Sequence, residues 1–217
     1  MVHTKHPATY SNDVLDIFAS IVKHDSCILD PFAGTGRIHE IARHDEGIIT
    51  IGVEIEPEWA RMHPCTTVGD ATALRFCDDT FDYVCTSPAY GNRLADRYVP
   101  KDTDTSHRFT YRIGLGRDLD ERNGGGMQWG PAYKELHAAA IDEMVRVVKP
   151  GGLIMVDIKD HSRGNVRQEV TKWWKDMLQL AGAPYVTRRR VGTGGLRHSG
   201  PVKVQHPQWV LVHMVNR

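Results

Sequence analysis

The sequence predicts an α/β protein in which a mostly parallel sheet carries helices on both faces, and three observations predict it. Short apolar runs alternate with helix-length segments, the pattern of strands joined by crossover helices. Three of the runs end in an acid beside a glycine-rich turn. A last pair of runs has no helix-length segment between them, so those two pair antiparallel. The 217 residues match one domain at roughly 150 residues each, with room for an embellishment. Such a chain buries a sizeable core without staples.

Each element follows in order. Ser26-Cys27-Ile28-Leu29-Asp30 is the first strand, and a helix-sized segment begins near Gly36. Ile48-Ile49-Thr50-Ile51-Gly52-Val53-Glu54, Thr66-Thr67-Val68-Gly69-Asp70 and Phe81-Asp82-Tyr83-Val84-Cys85-Thr86 are the next three strands. Leu136, Ala140, Met144, Val147 and Val148 recur at helical spacing, which predicts a helix over 132–148. Lys149-Pro150-Gly151-Gly152 is a turn ahead of a fifth strand, Leu153-Ile154-Met155-Val156-Asp157-Ile158. A helix is expected over 166–180, where Trp173-Trp174 packs it onto the sheet. The antiparallel pair is Tyr185-Val186-Thr187 with Trp209-Val210-Leu211-Val212-His213-Met214-Val215, joined by a Gly- and Arg-rich connection over 192–201. Residues 91–130, with Gly124-Gly125-Gly126 and little apolar periodicity, read as a mobile insertion beside the site.

Composition narrows the function classes. Lys and Arg number 27 against 27 Asp and Glu, but the balance is uneven along the chain. Residues 161–217 carry a net +8 and the first 160 residues a net −8, so a polyanion is an expected partner of the basic end. The 4 cysteines are too few for a disulfide scaffold and form no Cys-x-x-Cys pair. No apolar run reaches the ~18–20 residues of a membrane span, and no signal peptide opens the sequence. A soluble, cytoplasmic protein without membrane contact is expected. The 12 histidines show no metal-ligand spacing on a helix, and no metal site is expected.

The strongest motif is Asp30-Pro31-Phe32-Ala33-Gly34-Thr35-Gly36, directly after the first strand. Glycines there let a ligand approach the backbone closely. The dinucleotide fingerprint wants a third glycine where His39 stands, and no Gly-Lys-Ser/Thr ending is present. Glu54 ends the second strand, where a carboxylate suits the two hydroxyls of a ribose. Asp70 ends the third, placed to accept from an adenine amino group. Thr86-Ser87-Pro88-Ala89-Tyr90 follows the fourth strand.

These residues resemble the amino-methyltransferases that use S-adenosylmethionine to methylate exocyclic amines of nucleobases. Asp30 to Gly36 match that family's Asp-Pro-Phe-x-Gly-x-Gly motif. Ser87, Pro88 and Tyr90 match its Ser/Asn/Asp-Pro-Pro-Tyr/Phe/Trp motif, with Ala89 in place of the second proline. His6-Pro7-Ala8-Thr9-Tyr10 is similar to its N-terminal cofactor motif. The resemblance implies a Rossmann-like class I methyltransferase domain over 1–217, with a seven-stranded sheet, mostly parallel with one antiparallel strand. It implies S-adenosyl-L-methionine as cofactor, held by Tyr10, Asp30, Phe32, Gly34, Gly36, Glu54, Ile55, Asp70 and Ala71. Ser87, Pro88 and Tyr90 become the catalytic set.

An exocyclic amine is a poor nucleophile because its lone pair is delocalised into the ring. Ser87 Oγ and the Pro88 carbonyl are placed to accept its two hydrogens and aim the lone pair at the methyl group, while Tyr90 stacks on the base. Such stacking is worth ~1–3 kcal/mol, and a duplex substrate would first have to flip its base out. The expected partner is nucleic acid, DNA ahead of RNA. Ser at the first catalytic position goes with cytosine N4 more often than adenine N6 in that family. Target recognition falls to 91–130 or to the basic end. RNA methylation, methylation of a protein glutamine or a small molecule, and a silent cofactor-binding subunit needing a partner stay open as alternatives.

Overall fold

The structure is a computed structural model that describes residues 9–91, 111–192 and 206–216. Its centre is a seven-stranded sheet. In chain order the elements are α1 (Asn12–Ala19), β1 (Cys27–Asp30), a 3-10 helix (Arg37–His44), β2 (Ile49–Glu54), α2 (Pro57–Ala60), β3 (Thr66–Val68) and β4 (Phe81–Thr86). Then come α3 (Tyr111–Leu115), a 3-10 turn (Gly124–Gly126), α4 (Pro131–Val147), β5 (Val148–Lys159), β6 (His161–Arg163), β7 (Val166–Gln168), α5 (Val170–Leu180), β8 (Tyr185–Arg190) and β9 (Gln208–Met214).

The strands lie in the order β3-β2-β1-β4-β5-β9-β8. The first five are mutually parallel, and β9 runs antiparallel to both β5 and β8. The expected parallel sheet with one antiparallel strand near its edge is what forms. Strand order reverses between β1 and β4, and ligands of such sheets bind outside the carboxyl ends at that reversal. Asp30 ends β1 and Ser87 follows β4, so both motifs meet there.

Helical periodicity decides which faces cover the sheet. Val14, Leu15 and Phe18 of α1 join Ile38 and Ile41 against one face. Ile141, Met144 and Val145 of α4 and Trp174 and Leu178 of α5 cover the other. Trp174 is fully buried and Trp173 packs beside it, the packing role expected of that pair.

Three expectations are corrected. The turn at Lys149-Pro150-Gly151-Gly152 lies within β5, as an excursion between the pairs Phe81↔Val148 and Tyr83↔Leu153. Residues 166–168 belong to a hairpin, not to a helix. Gly164, at φ +63°, and Asn165 make the tight turn that Gly-Asn favours, and α5 begins only where Asp160 Oδ1 accepts from Thr171 N at 2.8 Å. Within 91–130, residues 111–130 carry α3 and the 3-10 turn and pack on the body of the domain, with Tyr111 and Leu115 buried against Trp59. Residues 92–110 lie outside the described residues.

Among the described residues, no helix is long and apolar enough to cross a membrane.

Candidate functional site

The glycine turn comes first. Gly34 and Gly36 have φ of +54° and +85°, a region that side chains disfavour. Gly34 N donates to Glu54 Oε2 at 2.9 Å, and Glu56 N donates to Glu54 Oε1 at 2.9 Å. Glu54 thereby ties the end of β2 to the turn after β1. Each of its oxygens keeps a further lone pair for a diol. Burial raises its carboxyl from 4.5 to about 7, moderated by those two backbone bonds.

Asp30 is fully buried at the end of β1. It accepts from Thr86 Oγ1 at 2.6 Å, from Phe32 N at 3.0 Å and from the Tyr10 hydroxyl. Burial lifts its carboxyl to about 6 against the pull of these three donors. Asp30 therefore fixes the N-terminal Tyr10, the turn and β4 relative to one another. Phe32 is half-buried and stacks on the His137 ring at 5.5 Å. His137 donates from Nδ1 to the Tyr133 carbonyl at 2.7 Å, and burial lowers its pKa to about 4. Phe32 thus faces a neutral ring.

Asp70 lies two residues past β3 with both carboxylate oxygens partnered. Its Oδ1 accepts from Thr72 N and Oγ1 at 2.8 and 2.7 Å, and its Oδ2 lies 3.2 Å from Arg122 Nη1. One oxygen closes a turn and the other meets a guanidinium. Ile55 is half-buried beside Glu54, and Ala71 is buried beside Asp70.

The turn from Ser87 to Tyr90 is organised by an acid that the sequence reading missed. Asp157, fully buried near the end of β5, accepts at Oδ2 from Ser87 Oγ at 2.9 Å and from the Tyr90 hydroxyl at 2.8 Å. Gln208 Nε2, at the start of β9, donates to both Asp157 oxygens at 2.8 and 2.9 Å. Burial raises the Asp157 carboxyl, and the Gln208, Tyr90 and Ser87 bonds oppose the rise. With its hydrogen given to Asp157, Ser87 Oγ presents only lone pairs to a ligand. Tyr90 is half-buried and tethered at its hydroxyl, so its ring is positioned from behind. Pro88 is buried.

The missing proline also has a counterpart. The Ala89 carbonyl accepts from the Tyr133 hydroxyl at 2.7 Å, and Trp174 Nε1 donates to that hydroxyl at 3.1 Å. Trp129 N donates to the Gly91 carbonyl at 3.0 Å. The turn after β4 is thus fastened to α4 and the segment before it.

A second missed acid is Glu56, fully buried. It accepts from Asp120 N at 2.8 Å and Asn123 Nδ2 at 2.9 Å, and its Oε2 lies 2.7 Å from Arg117 Nη2. Arg117 also binds Glu58. Residues 117–123 are held in this way beside the ends of β2 and β3.

Five buried carboxyls (Asp30, Glu54, Glu56, Asp157 and Asp160) therefore gather at the carboxyl end of the sheet. Among the described residues, Arg117 pairs with Glu56 and Arg167 with Asp160, while Asp30, Glu54 and Asp157 pair with no cation. Buried acids without counter-charge favour a cationic ligand, and S-adenosylmethionine carries a sulfonium and an ammonium group. The Glu54 carboxylate at the end of β2 and the glycine turn lie beside these acids. His39, His63 and Cys65 bring possible ligand atoms within 4.8 Å of one another. Both His39 nitrogens are taken by the Thr50 and Thr66 hydroxyls, at 2.8 and 2.9 Å, so this group packs the helix after β1 onto β2 and β3.

Comparison with solved structures agrees with the strand order. A chain from the complex between the Haloferax volcanii Trm112 methyltransferase activator and a methyltransferase superposes with TM-score 0.59 at 13% identity, over 94% of this chain and 90% of that one. The fold is that of the S-adenosylmethionine-dependent methyltransferases. A TehB-like methyltransferase of this class from Corynebacterium glutamicum gives 0.54 at 13% identity, over 94% and 88% of the two chains. Burkholderia thailandensis 1,6-didemethyltoxoflavin-N1-methyltransferase with bound S-adenosylhomocysteine gives 0.55 at 14%, over 94% and 77%. No protein-family model and no curated protein matches the sequence.

Proposed function

We propose that this protein transfers a methyl group from S-adenosyl-L-methionine to an exocyclic amine of a DNA base, cytosine N4 ahead of adenine N6. One observation carries the reading. Ser87 Oγ is locked as a hydrogen-bond acceptor by Asp157, at the strand end that adjoins the turn of Asp30 and Gly34. A hydroxyl with no hydrogen to offer suits a substrate that donates N–H, and rejects a ring carbonyl at the same place.

Tyr10, Asp30, Phe32, Gly34, Gly36, Glu54, Ile55, Asp70 and Ala71 surround the cofactor position, with Glu54 aimed at the ribose. When bound, the cofactor supplies an electrophilic methyl on a sulfonium. Ser87 Oγ and the Pro88 carbonyl accept the two amine hydrogens and turn the nitrogen lone pair toward that methyl. In-line displacement at that methyl would leave the C–S electron pair on sulfur, and the proton lost from the nitrogen would pass to solvent. No covalent enzyme intermediate is required, so positioning and electrostatics supply the acceleration.

The test is methyl transfer from labelled cofactor to unmethylated DNA and, in parallel, to bulk RNA, followed by digestion to nucleosides and mass spectrometry. N4-methylcytosine or N6-methyladenine in DNA is the expected product. Label in RNA alone replaces the substrate, and cofactor binding without label in either polymer replaces the activity with a silent or small-molecule role.

A further inference from the structure

The basic end of the chain lies against the site. β8 is an edge strand whose last three residues, Arg188, Arg189 and Arg190, are all exposed. The sheet register aligns Arg189 with Val210 and Val210 with Asp157, and aligns Arg190 with Trp209 and Trp209 with Ile158. Arg189 is therefore two strand spacings of about 4.8 Å from the acid that holds Ser87. Trp209, next to Gln208, carries the Arg188 guanidinium over its ring at 4.1 Å. The β6–β7 hairpin adds exposed Arg163 at its turn, and Ser162 Oγ lies 2.9 Å from His206 Nε2, which ties the hairpin to the chain entering β9.

These charges are available. Arg167 is committed to Asp160. Among the described residues, Arg163, Arg188, Arg189 and Arg190 pair with no acid. An edge strand also gains from charge as a guard against strand addition, but one lysine would serve that end. Three consecutive arginines, with Arg189 in register with Asp157 and Arg188 over the Trp209 ring, suit phosphate recognition instead.

We propose that β8 and the β6–β7 hairpin form the track that docks the DNA phosphate backbone, so that a base displaced from it reaches Ser87. This rests on the reading of a DNA base as substrate. Positioning is sequence-independent on this track, since the guanidinium groups contact phosphate and leave base discrimination to the site itself.

Fluorescence anisotropy with labelled duplex DNA, single-stranded DNA and RNA, read as a function of salt, tests it. Each phosphate contact contributes about 0.9 to the slope of log affinity against log salt for duplex. The R188A/R189A/R190A variant should lower that slope by about 2–3 and leave cofactor affinity and melting temperature unchanged. The R188K/R189K/R190K variant keeps the charge and should retain the slope. An alanine variant with the wild-type slope overturns the docking surface, as does wild-type protein that binds RNA in preference to DNA. Methylation of free nucleoside, measured separately, isolates the chemistry. Turnover there with no arginine-dependent binding sinks the track alone. Arginine-dependent binding with no methyl transfer to any DNA sinks the activity alone.

Discussion

The Tyr133 hydroxyl donates to the Ala89 carbonyl at 2.7 Å, across 44 residues of sequence and from a different element. A proline at 89 would stiffen this turn through its fixed φ; here a buried phenol does so from outside. Tyr133→Phe should leave the Ala89 carbonyl and the Trp174 indole N–H without their partner, at about 1–3 kcal/mol. Misplacement of the neighbouring Pro88 carbonyl should lower kcat up to about 100-fold, with cofactor affinity unchanged by calorimetry. Ala89→Pro in the same background should recover part of that loss. Wild-type kcat in Tyr133→Phe would show that the contact does not position the turn.

Asp157 offers a sharper test of the chemistry. Asp157→Asn replaces an acceptor of Ser87, Tyr90 and Gln208 hydrogens with a group that also donates. The Ser87 hydroxyl is then free to turn its hydrogen toward the substrate. The expected result is a fall in kcat of about 100-fold with the KM for cofactor unchanged. Ser87→Ala should fall by a similar factor, and the double variant should lose little more than either one, because the two act as a unit. Additive losses would separate the two residues.

What the sequence made legible follows from range. The strand ends at Asp30 and Glu54 were readable because both acids end apolar runs beside the one glycine turn after β1, and Ser87 to Tyr90 because the motif is contiguous. Asp157 also ends an apolar run, but its meaning depends on Gln208, 51 residues away, and no local pattern encodes that pairing. Glu56 was hidden by its neighbour Glu54, and its partners Arg117, Asp120 and Asn123 lie in a stretch without apolar periodicity. Residues 166–168 read as the start of a helix, and the Gly164-Asn165 turn is the overlooked signal of the hairpin. Asp70 also closes its own turn with Thr72, a contact that its place just past a strand end does not by itself reveal.

Glu56 is the buried acceptor that fastens residues 117–123 to the sheet. Glu56→Ala should orphan the Asp120 N–H and the Asn123 amide and leave Arg117 paired with Glu58 alone, at about 2–4 kcal/mol. For a chain of this length that corresponds to a drop of about 4–16 °C in melting temperature, together with faster proteolysis within 111–130. Arg117→Ala should cost less, because that side chain is 41% exposed and keeps much of its hydration. Equal losses in the two variants would place the stabilisation in the ion pair and not in the backbone and amide bonds.

The last prediction concerns pH. Burial holds the Glu54 carboxyl near 7, against 4.5 in its ordinary state. Between those values the folded protein binds more protons than the unfolded chain, so this group lowers stability as pH rises through the window and adds nothing further above it. Cofactor binding works in the opposite sense. Ribose hydroxyls donate to the ionised carboxylate, so bound cofactor favours the deprotonated form and lowers the pKa. Cofactor affinity should therefore rise with pH from about 6 to 8 and level off, with proton release in calorimetry across that range. Glu54→Gln should remove the rise and bind about 10–100-fold more weakly at pH 8, the loss of a charge-assisted bond. Asp30, near 6, titrates lower, so a dependence confined below pH 6 in both proteins would assign the effect to Asp30. A flat wild-type profile would remove Glu54 from the ribose.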